Sequence, residues 1–244
     1  MDIHLVNVLE LPKASLSEMS ACIHDEIVNS CLELLQKLSE ELSARSKKRI
    51  RIATDLETGY LHDRLAAFCK EIKPFTIVCG SSESSLENIL KGSSSIDKIR
   101  QLPYPLLIVP EHACFHSIRN VLIACDHEDI HTGIVNARPI LEAFTSAFSP
   151  RYVALHVLVD GQASADNLSA AFQSWNGIPG TFAPAITFIR QSDVAKGIAE
   201  YLRSHAADLL LVLPKKHSWL EGHRSRSSQI LSKVVPILSL NRKK

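Results

Sequence analysis

The sequence predicts an α/β protein with a parallel sheet covered on both faces. Three observations predict it. β-rich apolar runs alternate with segments of helical periodicity along the chain, the runs are nearly continuous in apolar residues, and the second half repeats the order of the first. At 244 residues the chain is long enough for one large domain or two small ones. Apolar residues at 45 % and charged residues at 22 % exclude a disordered, collagen-like or coiled-coil chain.

In chain order, Ile3–Leu9 is the first β-rich run and Pro12 closes it. From Ser15 to Lys47, Ile23, Ile27, Cys31, Leu34, Leu35, Leu38 and Leu42 recur at helical spacing, with Arg45, Lys47, Lys48 and Arg49 at the end. Cations there complement the helix dipole, so this basic run needs no nucleic acid to explain it. Arg49–Thr54 alternates like a strand. Leu61, Leu65, Phe68, Cys69 and Ile72 mark one face of a helix that Pro74 ends, and Phe75–Cys79 reads as a buried strand. A Gly/Ser-rich loop, a short helix and the strand Tyr104–Val109 complete this half.

The second half opens with Ile118–Cys125, a buried strand, followed by a helix over Ile130–Phe148 and the strand Tyr152–Val159. A short helix near Ser164–Trp175 and a turn containing Gly177, Pro179 and Gly180 lead to the strand Ala185–Ile189. The helix Val194–His205, the buried strand Asp208–Leu213, a last short helix and the strand Pro236–Leu240 close the chain.

These halves align. Ile3–Glu10 matches Val153–Asp160, Leu61, Leu65 and Phe68 match Ala195, Ala199 and Leu202, and Pro105–Val109 matches Pro236–Leu240. The expected division is 1–110, a linker at 111–117, and 118–244. Only the second copy has an opening strand and helix, over Ser117–Pro150. A sheet without its central strand leaves backbone groups unpaired. Two expectations follow: the chain belongs to a longer protein, as from a late assigned start, or the strands flanking the gap close up directly.

Ile118–Asp126, a strand ending in aspartate, together with Phe75–Gly80, Gly92-Ser93-Ser94 and Pro105–Pro110, resembles the universal stress protein family in its tandem two-domain form. Asp208–Glu221 with Ser228 and Pro236–Leu238 resembles the altered second domain of tandem members. The resemblance implies two Rossmann-like domains of the adenine nucleotide alpha hydrolase type, with strand order 3-2-1-4-5. It also implies association through the closing strands, within one chain or between two, and in many members ATP as ligand. By this resemblance Gly80, Gly92, Ser93, Ser94 and Asp126 are the nucleotide-binding positions.

The family's pattern is Gly-x-x-Gly, nine residues, then Gly-Ser or Gly-Thr. Such glycines let backbone N–H groups approach phosphate. Here Glu83 or Ser84 stands where the second glycine belongs, and the spacing from Gly80 to Gly92 is one residue short. A carboxylate at Glu83 repels phosphate. The first half keeps the loop without an opening strand, and the second keeps Asp126 but replaces the loop with Pro214–Ser228, so neither half holds a whole site.

Other constellations read more simply. His112, Cys114 and His116 have alternate spacing suited to a soft metal, but zinc sites usually recruit a second ligand pair, so they read as an exposed linker with no metal. Asp126–Asp129 with His131 reads as a polar strand-to-helix loop, in which Asp126 lies where open α/β sheets bind ligands. Lys215, Lys216, Arg224 and Arg226 are candidate anion-binding residues in a solvated basic loop.

Six cysteines without a C-x-x-C pair, and no basic and apolar leader, predict a reduced cytoplasm. No apolar run approaches the length of a membrane span, and 27 basic against 26 acidic residues supply no field for nucleic acid. Hydrolase, zinc-protease and Walker motifs are absent. The expected function is that of a non-catalytic stress or regulatory protein acting by association, with nucleotide binding weakened or lost. The alternatives are an adenine-nucleotide or small-anion sensor and, third, a nucleotide hydrolase or transferase.

Overall fold

The structure, a computed structural model, describes residues 2–10, 21–47, 49–81, 95–125, 130–159, 184–212 and 235–240. They fall into two compact units, Met1–Lys73 and Pro74–Lys244.

In the first unit, β1 (Asp2–Leu9) and β2 (Arg51–Thr58) form a two-stranded parallel sheet, joined by helix α1 (Ala21–Arg45) and followed by α2 (Leu61–Ile72). The register runs from Asp2↔Arg51 to Leu9↔Thr58. The alternation in sequence places the end of β2 at Thr54, yet the strand continues through Asp55, Leu56 and Glu57, because Val6, Asn7 and Val8 of β1 pair with them. Gly59, at φ +136°, turns the chain, and its N–H donates to the Leu9 carbonyl at 2.9 Å. Tyr60 offers no side-chain cap to α2. Instead the Glu10 carboxylate, at the end of β1, accepts the Leu61 N–H at 2.7 Å. The Phe68 ring of α2 meets His4 of β1 edge-on at 5.6 Å.

The second unit contains β3 (Ile77–Ser81), α3 (Ser95–Arg100), β4 (Leu106–Pro110), β5 (Asn120–Ala124), α4 (Ile130–Phe148), β6 (Arg151–Leu158), β7 (Ala185–Arg190), α5 (Val194–Ser204), β8 (Leu209–Val212) and β9 (Ile237–Ser239). Its seven strands run in the order β3-β4-β9-β8-β5-β6-β7. Every neighbouring pair is parallel except β4 with β9. The second repeat thus has the expected 3-2-1-4-5 order in β7-β6-β5-β8-β9.

Direct closure of the gap in the first repeat is not what forms. β1 and β2 make a sheet of their own, whereas β3 and β4 extend the sheet of the second repeat. The packing boundary at 73/74 therefore lies inside the first repeat. The helices expected near Ser164–Trp175 and ahead of Pro236 lie outside the described residues.

β5 shows why its residues are continuously apolar. Val121 and Ile123 point to one face, where Ala137, Ile140 and Leu141 of α4 cover them with Tyr152, Leu209 and Leu211. Leu122 and Ala124 point to the other, under Ala195, Ile198, Ala199 and Leu202 of α5. Pro139 stands in the interior of α4 but on its exposed side. The Tyr152 hydroxyl donates to the Leu141 carbonyl at 3.2 Å and meets Thr145 Oγ1 at 2.8 Å, tying β6 to α4. Asp208 anchors the head of the central strands, its Oδ2 accepting the N–H groups of Arg119 and Asn120, both at 2.8 Å. Asp193 caps α5 by accepting the Lys196 N–H at 3.0 Å.

Gly197 brings α5 close against β6 and β7. A Cβ there would lie 2.7 Å from Val157 Cγ1, 2.9 Å from Val157 Cγ2 and 3.2 Å from Ile189 Cδ1. Val157 is β-branched and buried, so it has little room to yield. Gly197→Ala gains about 1 kcal/mol in helix propensity but loses more to overpacking, for an expected net destabilisation of about 1–2 kcal/mol. A lowered urea midpoint at unchanged slope is the measurement that checks it.

Candidate functional site

In an open parallel sheet the crevice for a ligand lies beyond the carboxyl ends of the strands, where the chain leaves in opposite directions from two neighbours. Here those neighbours are β5 and β8. β5 connects through α4 to β6 on one side, while β8 leads to β9 on the other.

At the end of β5, the Cys125 N–H donates to the Leu155 carbonyl at 3.2 Å, and its Sγ lies 3.7 Å from the same oxygen. The Cys125 carbonyl is met at 3.0 Å by Nδ1 of His156, a β6 side chain only 3 % exposed. A carbonyl only accepts, so Nδ1 carries the proton in this contact. The Phe188 ring of β7 stands edge-on to the imidazole at 6.1 Å. His156 therefore holds the chain at Cys125, just past the end of β5. Sequence reasoning missed it, because a histidine inside an apolar strand reads as part of that strand. The interruption of Tyr152–Val159 by one imidazole was the available signal.

Of the nucleotide-binding positions expected from the sequence, Gly80 alone is described. Gly92, Ser93, Ser94 and Asp126 lie outside the described residues, as do Lys215, Lys216, Arg224 and Arg226. Gly80 is exposed on β3, and a Cβ there would meet nothing within 4 Å. Nothing in the described chain requires glycine at this position.

β3 and β5 are separated by β4, β9 and β8. Four strand-to-strand steps amount to roughly 19 Å. The strand carrying Gly80 and the strand leading to Asp126 are therefore not neighbours, as β8 and β5 are. His112, Cys114 and His116 are all exposed on the irregular segment after β4. Among the described residues, no group of three or more His, Cys, Asp or Glu side chains is placed to hold a metal ion. No described helix is long and apolar enough to cross a membrane.

Cys79, beside Gly80, is half-buried. Burial raises its thiol pKa to about 11, and the nearby Arg100 opposes that only in part. At pH 8 about 0.1 % of Cys79 is then thiolate. Its alkylation by iodoacetamide is expected to rise about tenfold per pH unit from pH 8 toward 11. Peptide mass spectrometry after timed labelling reads this out. A rate already at its plateau by pH 9 would contradict the raised value.

No protein-family model and no curated protein sequence matches the chain. Solved structures do. A universal stress protein from Archaeoglobus fulgidus DSM 4304 superposes with a TM-score of 0.70 at 18 % identity, covering 100 % of this chain and 86 % of that one. A functionally unknown protein from Pseudomonas aeruginosa PAO1 gives 0.58 at 14 % identity, covering 98 % and 82 %. A third, from Pseudomonas aeruginosa UCBPP-PA14 and provisionally named a universal stress protein, gives 0.57 at 13 % identity, covering 98 % and 92 %. The alternating elements, the 3-2-1-4-5 order of the second repeat and these superpositions agree, and the chain has the fold of the universal stress protein structures.

Proposed function

We propose that this chain is a universal-stress-protein-like regulatory protein of the cytoplasm that acts by association, without catalysis and with nucleotide binding weakened or lost. The observation that carries this reading is the separation of Gly80 from the end of β5 by four strand steps. A phosphate loop serves a nucleotide when its backbone N–H groups and the acid of the opening strand converge on one crevice. The departures at Glu83 and in the spacing from Gly80 to Gly92 point the same way.

The association reading also draws on β4 and β9, the closing strands of the two repeats. They pair antiparallel, Leu106↔Ser239, Leu107↔Leu238 and Ile108↔Ile237. A pairing that two-chain members would make between copies is thereby occupied within one chain, as an internal pseudo-dimer. Light scattering is expected to return a mass near 27 kDa. A mass near twice that would mean that another surface joins two copies.

A second reading rests on a different observation. The second repeat keeps its strand reversal intact at β5 and β8, which offers an adenine nucleotide or small anion a crevice at the carboxyl ends of those strands, and in sequence Asp126 follows β5 while Lys215, Lys216, Arg224 and Arg226 follow β8.

A thermal melt with and without about 1 mM ATP and magnesium separates the readings. Binding at ~10 μM would stabilise the fold by roughly 2.7 kcal/mol. For a chain of this length that is on the order of 5–10 °C. No shift is expected. A shift of that size, lost in Asp126→Ala, would put the sensor reading first, and sustained ATP turnover would overturn the non-catalytic one.

A further inference from the structure

β3 is an end strand of the seven-stranded sheet, and its two edges differ. One edge pairs with β4 in unbroken register, from Ile77↔Leu106 to Ser81↔Pro110. Along the other, no strand pairs with it among the described residues. Natural edge strands are commonly protected by a lysine, a proline or a bulge that discourages further pairing. β3 reads Ile77-Val78-Cys79-Gly80-Ser81 and has none of the three.

The second repeat shows what such an edge takes. The Ile77 N–H donates to the Pro105 carbonyl at 2.8 Å, and the Leu210 N–H of β8 donates to the Pro236 carbonyl at 2.9 Å. Ile77 pairs with Leu106 as Leu210 pairs with Ile237. β3 therefore stands to β4 as β8 stands to β9, and Val78 holds the place of Leu211. On its opposite edge β8 pairs parallel with β5, a strand without charge, and Ile123 lies beside Leu211. The place beyond β3 is that of a second strand of the β5 type.

Side-chain exposure adds a further requirement. Leu211 is 1 % exposed and shares its cluster with Ala137, Ile140 and Leu141 of α4, the helix that follows β5. Val78, at the same place in its own strand, is 60 % exposed. A strand alone would pair the backbone and leave this side chain in water. A strand followed by a helix, as β5 is by α4, would cover both.

We propose that the outer edge of β3 docks a partner protein that supplies a parallel, uncharged strand followed by an amphipathic helix, the strand pairing along Ile77–Ser81 and the helix covering Val78. This deepens the association reading and rests on it for its physiological sense. The ATP melt tests that reading, and the titration below tests this site.

The probe is a fluorescein-labelled peptide with the sequence of Ile118–Ser149 and Cys125→Ser, which presents such a strand and helix. Fluorescence anisotropy on titration with the full chain is expected to show binding at micromolar concentration. In β5 the Asn120 carbonyl accepts from the Asp208 N–H, on the β8 side, while the Cys125 N–H donates to Leu155 of β6. Backbone groups alternate between edges along a strand, so the Leu122 N–H faces β8 and the Ile123 N–H faces β6. N-methylation of the probe at Leu122 is expected to weaken binding about tenfold or more, and at Ile123 to leave it within about twofold. On the chain, Val78→Asp should weaken binding about tenfold while leaving circular dichroism and the melt unchanged, since the position is exposed. Bound probe should also slow the alkylation of Cys79 several-fold, with the exposed Cys114 reacting as before.

Absence of binding, equal loss from the two N-methylated probes, or a Val78→Asp chain that binds like the parent overturns the proposal. So does a chain of doubled mass that Val78→Asp returns to a single one, because a second copy would then occupy the edge.

Discussion

The antiparallel pairing of β4 with β9 is the constraint on which the rest of the second unit depends. Every other neighbouring pair in that sheet is parallel, so the strand direction reverses once, at this seam. Two closing strands, each the last of its repeat, meet edge to edge and remove an open edge that either would otherwise present to other chains. Through this seam β3 and β4 of the first repeat share one sheet with the strands of the second. β1 and β2 form a two-stranded sheet of their own. The packing boundary at 73/74 falls where no linker composition marks it.

Much of the second repeat was legible because both faces of its sheet are buried. Ile118–Cys125 and Asp208–Leu213 read as continuous apolar runs for the reason now visible at β5, where consecutive residues alternate between the layers of α4 and α5. The helix over Ile130–Phe148 was legible despite Pro139, which stands on its exposed side. The first repeat was harder. The alternation of Arg49–Thr54 gives no sign of the four further residues that pair with β1, because Asp55 and Glu57 are weak strand formers held there by their partners. Nor does periodicity reveal which apolar residues of a helix will be covered. Leu34 and Leu35 look alike in sequence, and one is 67 % exposed while the other is buried.

The candidate site was legible as a set of residue types and much less as a place. The glycine and serine pattern at Gly80 and Gly92 identifies a loop chemistry, but whether that loop serves a nucleotide depends on which strand lies beside β3, and the pairing that the structure gives β3 is with β4. His156 shows the converse. Its chemistry was overlooked because the strand hosting it is otherwise apolar, yet through Cys125 it fixes the end of the central strand at the crevice.

The same seam has a consequence during synthesis. Leu106 must wait for Ser239, about 130 residues later in the chain, before its strand edge is covered. At ribosomal rates of 5–20 residues per second, that is roughly 7–25 s in which β4 has β3 for a neighbour and nothing on its other side. Its sequence, Leu106-Leu-Ile-Val-Pro110, is short, apolar and without charge, the kind of segment that seeks other strands. Pro105 and Pro110 bracket it and limit how far an incorrect pairing can spread, since neither supplies a backbone donor. Nascent-chain handling, more than the stability of the finished sheet, is where this arrangement places its demand on the cell.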